Sequence, residues 1–222
     1  MGVAAQSMFE ANTKPSLPLV DVPLIEATRE SVRDYGQLVD DPHNFEIEIV
    51  QWPAQGWRPI DEGTGDEGGV TQGVFLGKWD GDILMGANDA VGGHYVLGWS
   101  CDPQQAKTGT ASTDREQVLL WHFNYHPDGG QLFFPLEKKP FVVPVAKPGD
   151  DLKPEDVIAL WCNGSQGMYI HPGIWHEGIF PVEDSQRFLD RQGKVHARVS
   201  CDFGQEFGVY LSVPLRSLSK SG

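Results

Sequence analysis

Residues 117–136 read QVLLWHFNYHPDGGQLFFPL and decide the fold class, because two β-type segments flank a turn. Aromatic and branched residues dominate both QVLLWHFNY (117–125) and QLFFPL (131–136), as is typical of strands. HPDGG (126–130) supplies the turn-forming residues between them. A connection of this length and composition predicts a β-hairpin.

Polar side chains converge at this predicted hairpin. Side chains alternate between the two faces of a strand, so His122, Asn124 and His126 share one face. Asn124 and His126 would lie about 6.6 Å apart, whereas His122 would lie about 13 Å from His126, too far to share a metal ion. The turn would place Gln131 opposite His126. The shared face favours a functional pocket, and a buried hydrogen-bond network is the alternative.

Other short segments with strand character follow along the chain. They are 45–49, 74–79, 82–86, 94–99, 141–146, 156–161, 167–171, 195–202 and 207–213. Turn clusters separate them, and the chain contains 26 glycines and 16 prolines. Many short strands with frequent turns predict an all-β antiparallel sandwich or barrel.

The N-terminal region has a different pattern. Residues 1–20 have no periodicity and are expected to form a flexible arm. In 23–41, Ile25, Val32 and Tyr35 recur at three- to four-residue intervals, which predicts an N-terminal helix that Gly36 ends. We expect a single domain over residues 21–216 and a short tail over 217–222.

The charge balance excludes some classes of partner. The chain has 17 basic and 31 acidic residues, a formal net charge of −14, and no basic cluster. A protein that binds nucleic acid or anionic lipid gathers Lys and Arg on one face, so we expect neither partner.

No apolar run approaches the ~20 residues of a membrane span, and the first residues lack a signal-peptide pattern. Three widely spaced cysteines fit reduced thiols, and we expect a cytoplasmic protein.

A second motif, MYIHPGIWHEGIF (168–180), places two histidines and a carboxylate around one turn. Pro172-Gly173 predicts the turn, and His171, His176 and Glu177 flank it. Packing explains the isoleucines of this stretch, but it does not explain so many titratable groups. We therefore expect catalytic residues here. His94 and His196 lie in strand-like segments and are expected to be structural; the alternative for His94, which follows Gly92-Gly93, is a position at the mouth of a pocket.

The second motif resembles that of the cupin superfamily, in which Pro, Gly and then His carry a metal ligand into a small β-barrel or jelly roll. In the first cupin motif, the ligand positions correspond to Asn124, His126 and Gln131. The resemblance implies a cupin-type barrel with His126, Gln131 and His176 as candidate metal ligands. Because two usual ligands are replaced by neutral amides, a bound divalent ion would be held loosely. Whether a metal binds is left open.

Both motifs together resemble the ureidoglycolate lyase family, a cupin subgroup. The matching stretches are HPDGGQLFFPL (126–136), FVVPVAKPGDD (141–151) and GSQGMYIHPGIWHEGIFP (164–181). A fourth, ESVRDYGQLVD (30–40), resembles the start of the family pattern. The resemblance implies a homodimeric carbon–nitrogen lyase that removes urea from a small-molecule substrate, ureidoglycolate, and leaves glyoxylate.

That reaction requires a base, an acid and a group that holds the substrate carboxylate. The resemblance implies His176 or Glu177 as the base, and His126 as the acid or a metal ligand. Further candidates follow from the same resemblance. His171 is a catalytic candidate, and the substrate-binding candidates are Asn124, Tyr125, Gln131, Tyr169, Trp175 and Lys78.

The chain departs from the family pattern at its charged positions. Tyr125 and Lys78 stand where the family has arginines, Glu177 replaces a histidine, and the family's strand ending in Asp-Arg is matched only by GVYLSVPL (208–215). Lys and Tyr do not reproduce the two-pronged arginine contact with a carboxylate. Two alternatives therefore stay open. One is a non-catalytic ligand-binding cupin, and the other is a metal-dependent oxygenase or isomerase acting on a larger, less anionic substrate.

Overall fold

The computed structural model describes residues 16–50, 56–65, 68–109, 115–194 and 196–216. Within these ranges no helix is both long and apolar enough to cross a membrane. The strands are β1 (Leu19–Asp21), β2 (Leu24–Glu26), β3 (Gly36–Val39), β4 (Val70–Asp80), β5 (Ile83–Asn88), β6 (Gly93–Trp99), β7 (Gln117–Leu120), β8 (His122–Tyr125), β9 (Gln131–Pro135), β10 (Phe141–Ala146), β11 (Ile158–Cys162), β12 (Gly167–Ile170), β13 (Trp175–His176), β14 (Phe180–Pro181), β15 (Ser185–Gly193), β16 (Val199–Asp202) and β17 (Tyr210–Pro214). A 3₁₀ helix (Pro154–Asp156) and a one-turn helix α1 (Phe203–Glu206) complete the described elements.

The strands form two sheets. In the described part of the chain, the first sheet has ten strands in the order β1-β17-β7-β6-β5-β4-β15-β9-β12-β3. The second has the order β16-β8-β13-β10-β11-β2, with β14 beside β10. The β1–β17 and β2–β11 pairs are parallel, and the other pairs are antiparallel. The all-β, mainly antiparallel prediction is confirmed. Neither sheet closes on itself within the described residues.

The main apolar core contains side chains from both sheets. Phe188 of β15 and Phe141 of β10 are fully buried and meet edge to face across the sheets, with ring centroids 5.1 Å apart. Within the first sheet, the rings of Phe75 and Phe133 also meet edge to face, with centroids 5.4 Å apart. Each fully buried side chain of this size contributes about 1.5–3 kcal/mol relative to an exposed one. This core joins the sheets and fixes the distance between the polar residues at one end of them.

The predicted hairpin across HPDGG is wrong. β8 pairs with β13 and β16 in the second sheet, whereas β9 pairs with β12 and β15 in the first. The connection therefore crosses between sheets. Neither Gly129 nor Gly130 has the positive φ that two-residue hairpin turns favour. A Cβ at Gly129 would lie 2.5 Å from the His196 side chain, and a Cβ at Gly130 would lie 2.1 Å from the Tyr169 side chain. Both glycines therefore permit close packing.

The predicted N-terminal helix is also wrong. Leu24–Glu26 forms a strand parallel to β11, and a turn precedes β3. Val32 and Tyr35 are buried in the core, so their helix-like spacing reflects a turn with two inward-facing side chains. Gly36 does not end a helix. It begins β3, where a Cβ would lie 1.7 Å from the Tyr169 carbonyl oxygen.

Three further segments differ from the prediction. Residues 45–49 form no strand, and only Ile49 makes an isolated bridge, to Gly129. Leu19–Asp21, at the end of the expected arm, pairs with β17. β15 was not predicted, because three of its buried side chains, those of Gln186, Asp190 and Gln192, are polar and give no hydrophobic signal. Residues 1–15 and 217–222 lie outside the described residues, and the single domain over 21–216 stays a prediction.

Replacement of Gly36 by alanine tests the close approach of β3 and β12. The added methyl group must displace the backbone of Tyr169, and overpacking of this kind costs about 1–3 kcal/mol. In urea unfolding, the free energy of unfolding of Gly36→Ala should be lower than that of wild type by this amount. Gly68→Ala is the matched control, because no atom lies within 4 Å of its added Cβ. Equal stability of both variants would contradict the packing described for β3.

Candidate functional site

A cavity of about 710 Å³ lies between the two sheets. β5, β6, β9 and β15 of the first sheet contribute to its wall, and so do β8 and β13 of the second. Its titratable and amide side chains are those of Asn88, His94, Tyr95, His122, Asn124, His126, Gln131, His176, Glu177, Gln192, Lys194, His196 and Arg198. The cavity is therefore polar on several sides, although an apolar core supports it.

The residues of the two sequence motifs meet in this cavity. His176 lies opposite Asn124 in the β13–β8 register, and its Nε2 is 3.1 Å from Gln131 Oε1. The rings of His126 and His176 meet edge to face, with centroids 5.2 Å apart. Gly173 has φ +80°, as the predicted Pro-Gly turn requires. The convergence of Asn124, His126 and Gln131 on one space is confirmed, but packing of the two sheets produces it instead of a hairpin.

A buried carboxylate supports this cluster from the first sheet. Asp190 of β15 is fully buried, and its hydrogen-bond donors are neutral amides. Asn88 Nδ2 donates to Oδ2 at 2.7 Å, Gln192 Nε2 to Oδ2 at 2.5 Å, and Gln131 Nε2 to Oδ1 at 3.0 Å. Burial raises the pKa of Asp190 to about 6, and the three amides only partly oppose that rise.

Gln131 links this carboxylate to His176. Both ring nitrogens of His176 face oxygens, because Nδ1 lies 2.8 Å from Ile174 O and Nε2 faces Gln131 Oε1. A neutral imidazole has one N–H, so it satisfies one of these oxygens. In the neutral ring, the second nitrogen therefore faces an oxygen without a proton between them.

A second carboxylate–imidazole pair lines the same cavity. His122 Nδ1 lies 2.6 Å from Glu177 Oε2, and Glu177 Oε1 accepts a hydrogen bond from the Gly178 N–H at 2.9 Å. The Glu177 side chain is only 8% exposed, and that of His122 is 21% exposed. Both oxygens of the carboxylate are thus occupied, while the histidine ring remains partly open to the cavity.

Burial controls the protonation of the deeper histidines. The pKa of His126 lies well below its usual value, because burial and then the neighbouring His196 and His176 disfavour its charged form. Burial also lowers the pKa of His176, and it lowers that of His196 to about 4. These three imidazoles are neutral at pH 7 and able to accept a proton or a hydrogen bond.

His196 completes this histidine cluster. Its ring centroid is 4.5 Å from that of His126, and its Nε2 accepts a hydrogen bond from the Gly193 N–H. Nδ1 therefore carries the proton, yet it is one of two buried polar side-chain atoms without a partner in the described part of the chain. Burial of a donor without a partner costs about 1–3 kcal/mol.

Several predicted site residues lie elsewhere. The rings of Tyr125 and Trp175 pack edge to face in the core, with centroids 4.6 Å apart. The Tyr125 hydroxyl donates a hydrogen bond to Asp150, and Trp175 Nε1 donates one to the Gly149 carbonyl. Tyr169 accepts a hydrogen bond from the Glu48 N–H. None of these three side chains lines the cavity. The same holds for His171, which is partly exposed, and for Lys78, which is exposed.

Sequence reasoning also missed residues that do line it. His122 had a usable signal, because it shares the strand face of Asn124 and His126. His196 was expected to be structural, but it lines the cavity. His94 lines it too, which agrees with the alternative position at a pocket mouth. Asp190 gave no signal, since nothing in SQRFLDRQG (185–193) marks a strand whose polar residues point inward. The roles of all these side chains in a reaction stay predictions.

The donor set does not fit a metal centre. Among the described residues, no three side chains of His, Cys, Asp or Glu are placed to hold a metal ion. Of the expected ligands, Gln131 uses both amide atoms on Asp190 and His176, and His176 has both nitrogens engaged. His126 binds the Ala197 carbonyl through Nδ1 and retains Nε2. We therefore derive no chemical step through a metal.

Replacement of Asp190 by asparagine tests the buried carboxylate. Because its folded pKa is raised to about 6 from 3.8, the native state binds the proton more tightly than the unfolded chain. This contribution destabilises the wild type progressively as the pH rises from about 4 to above 6, by on the order of 2–3 kcal/mol. Asp190→Asn lacks it, so the variant's stability relative to wild type should improve by that amount across this range.

Urea unfolding at pH 4 and pH 7.5 measures this change. Subtraction of the wild-type value cancels the titration of the cavity histidines, which both proteins share. Asp89→Asn, at an exposed position, is the control and should show no such trend. A stability difference between Asp190→Asn and wild type that is independent of pH would show that folding does not raise the pKa of Asp190.

Known ureidoglycolate lyases are similar to part of this chain. That of Azotobacter vinelandii is 39% identical over 94 residues, which are 40% of this chain and 55% of the relative. Those of Stutzerimonas stutzeri and Pseudomonas aeruginosa are each 44% identical over 70 residues, 31% of this chain and 41% of the relative. The chain thus spans about half the length of the curated relatives it matches.

The similarity extends further when the family as a whole is compared. The family model described as ureidoglycolate lyase matches residues 87–205, more than half of the chain. This range includes His122, His126, Gln131, His176 and Asp190, which all belong to the cavity wall or support it. The chain therefore belongs to the ureidoglycolate lyase family.

Proposed function

We propose that this protein is a carbon–nitrogen lyase that cleaves ureidoglycolate into urea and glyoxylate. One observation carries the proposal: a cavity of about 710 Å³ gathers His122, His126, His176 and Glu177 around one space. These are the side-chain types that transfer protons in enzymes. Membership of the family named for this reaction supports the same conclusion.

The chemistry requires two proton transfers. A base removes the proton of the carbinol hydroxyl, the C–N bond breaks, and an acid protonates the departing urea nitrogen. A neutral imidazole serves as the base, and the imidazolium it becomes serves as the acid. Burial keeps His126 and His176, two imidazoles of this cavity, in the neutral form. The hydroxyl proton ends on the urea nitrogen, so no other reactant is consumed.

Arg198 is our candidate for binding the substrate carboxylate. It lines the cavity, and its side chain is 48% exposed. Its Nε donates to Asp61 at 2.7 Å, while its Nη groups have no hydrogen-bond partner among the described residues. Two free N–H groups on one guanidinium suit a carboxylate. Lys194 lies in the same wall and adds positive charge. Tyr125 and Lys78, which stand at the family's arginine positions, receive no such role here.

The remaining assignments follow from position. His126, His176 and Glu177 are proposed to belong to the reaction site, and Asn124 and Gln131 are proposed to orient the substrate. We assign no substrate contact to His171, Tyr169 or Trp175, because none lines the cavity.

A cupin-type jelly roll, a homodimer and a cytoplasmic location are also proposed. The edge strands β1, β3, β2 and β16, unpaired on one side within the described ranges, are suited to strand pairing between subunits.

His176→Asn tests whether the cavity is the site of reaction. Wild-type protein incubated with racemic ureidoglycolate should release urea and glyoxylate. The variant keeps a polar group near Gln131 but lacks the imidazole that packs against His126 and contacts Gln131, so the site is misarranged and kcat should fall by on the order of 10²-fold. His43→Asn, at an exposed position, should match wild type. Full activity of His176→Asn would exclude a reaction in the space beside His176. Saturable binding without turnover by wild type would instead favour a ligand-binding protein.

Arg198→Gln tests the carboxylate contact. A hydrogen-bonded charge pair contributes about 1.5–3 kcal/mol, so KM should rise roughly 10- to 100-fold. The kcat should change much less, because the contact exists before and during the reaction. Arg33→Gln, on an exposed turn, should leave both constants unchanged. An unaltered KM in Arg198→Gln would place the carboxylate elsewhere.

A further inference from the structure

We propose that His122 and Glu177 form the acid–base dyad of this site, with His122 Nε2 as the group that accepts the substrate's hydroxyl proton. In this assignment Glu177 is a positioning residue that acts through His122, and is not itself the base. The inference rests on the proposed function, which it makes more specific. It concerns a histidine that the sequence motifs did not assign to any role.

The contact between the two side chains is short and directional. His122 Nδ1 lies 2.6 Å from Glu177 Oε2, a distance typical of a charge-assisted hydrogen bond. The Gly178 N–H holds the other carboxylate oxygen at 2.9 Å. An ionised carboxylate can only accept hydrogen bonds, so Nδ1 carries the ring proton. The lone pair of the neutral ring is then on Nε2.

Nε2 of His122 is accessible from the cavity. It has no hydrogen-bond partner among the described residues. The buried side-chain atoms without a partner in those residues are Gln186 Oε1 and His196 Nδ1. His122 Nε2 is not among them, so it is not buried. The His122 ring packs beside Trp121, with centroids 5.0 Å apart, and both residues line the cavity. The indole restricts the ring on one side, while Glu177 fixes its rotation.

The other candidates are less suited to this step. Glu177 has both oxygens engaged, and its side chain is buried. His176 has both ring nitrogens directed at oxygens of Ile174 and Gln131. His126 packs between the imidazoles of His176 and His196, and its Nδ1 is held by a backbone carbonyl and not by a carboxylate. Of these groups, only His122 combines an accessible nitrogen with a carboxylate that stabilises its protonated form.

The step is balanced without any further reactant. The O–H bond of the carbinol breaks, its proton moves to His122 Nε2, and its electron pair forms the carbonyl of glyoxylate. The C–N electron pair leaves with the urea nitrogen. The imidazolium, held by ionised Glu177, then returns the proton to that nitrogen. His122 ends in its starting state.

Kinetics of His122→Asn and Glu177→Gln test the roles of the two residues. Removal of the base should lower kcat about 10²–10⁴-fold, with KM within about threefold of wild type. Glu177→Gln should also reduce kcat, because it removes the charge that holds the imidazolium. The matched controls, His43→Asn and Glu46→Gln, change exposed side chains and should behave as wild type. If His122→Asn retains wild-type kcat, the dyad is excluded while the proposed function stands.

A spectroscopic measurement separates this inference from the proposed function. The ¹⁵N NMR spectrum of the histidine side chains should show His122 as the Nδ1–H tautomer in the substrate-free wild type. Glu177→Gln should abolish that preference, and Glu46→Gln should preserve it. An Nε2–H tautomer in wild type would overturn the dyad, whatever the activity. A protein with the Nδ1–H tautomer that fails to cleave ureidoglycolate would instead overturn the proposed function and, with it, the catalytic role of the pair.

Discussion

The burial of one carboxylate, Asp190, determines much of the arrangement of the cavity. A buried negative charge without a cation is costly unless hydrogen bonds satisfy it, and here Asn88, Gln131 and Gln192 do so. These donors come from β5, β9 and β15 of the first sheet. Because Gln131 also reaches His176, the same carboxylate orients a histidine of the second sheet. The polar end of the molecule is thus a connected network and not a set of independent side chains.

The two imidazole–carboxylate arrangements differ in their distance from solvent. Asp190 acts on His176 through an amide and is fully buried, whereas Glu177 contacts His122 directly, and that ring is partly open. The first arrangement is suited to fixing geometry. The second is suited to exchanging a proton with a substrate, because an exchanging nitrogen must be reachable. Apolar packing of Phe141 against Phe188 beneath them keeps the two sheets, and therefore the two arrangements, in register.

Part of the fold and of the site was predictable from the sequence. The strand-rich pattern predicted the all-β class, and the motifs at 126–136 and 168–180 predicted which residues would meet. The alternation around Asn124 predicted their shared face and already included His122. The hairpin and the N-terminal helix were wrong, because local patterns do not reveal which strand pairs with which. Glycines that seemed to mark a turn or a helix end instead allow close packing.

One dipeptide of β15 shows how a strand serves both faces of the first sheet. Asp190-Arg191 lies inside the family match at residues 87–205. Asp190 faces the cavity network, and Arg191 faces the other way and donates to the Phe45 carbonyl at 2.7 Å. The pair therefore supports the fold on one face and the site on the other. Its inward carboxylate could not be predicted without knowledge of the sheet.

The nitrogen product formed from ureidoglycolate tests the central claim most directly. Cleavage of the C–N bond next to the carbinol predicts urea and glyoxylate in equal amounts, without ammonium. Purified wild-type protein, incubated with the racemic compound and assayed for all three products, gives the answer in one experiment. Release of ammonium, or no consumption of the substrate by folded protein, would contradict the account.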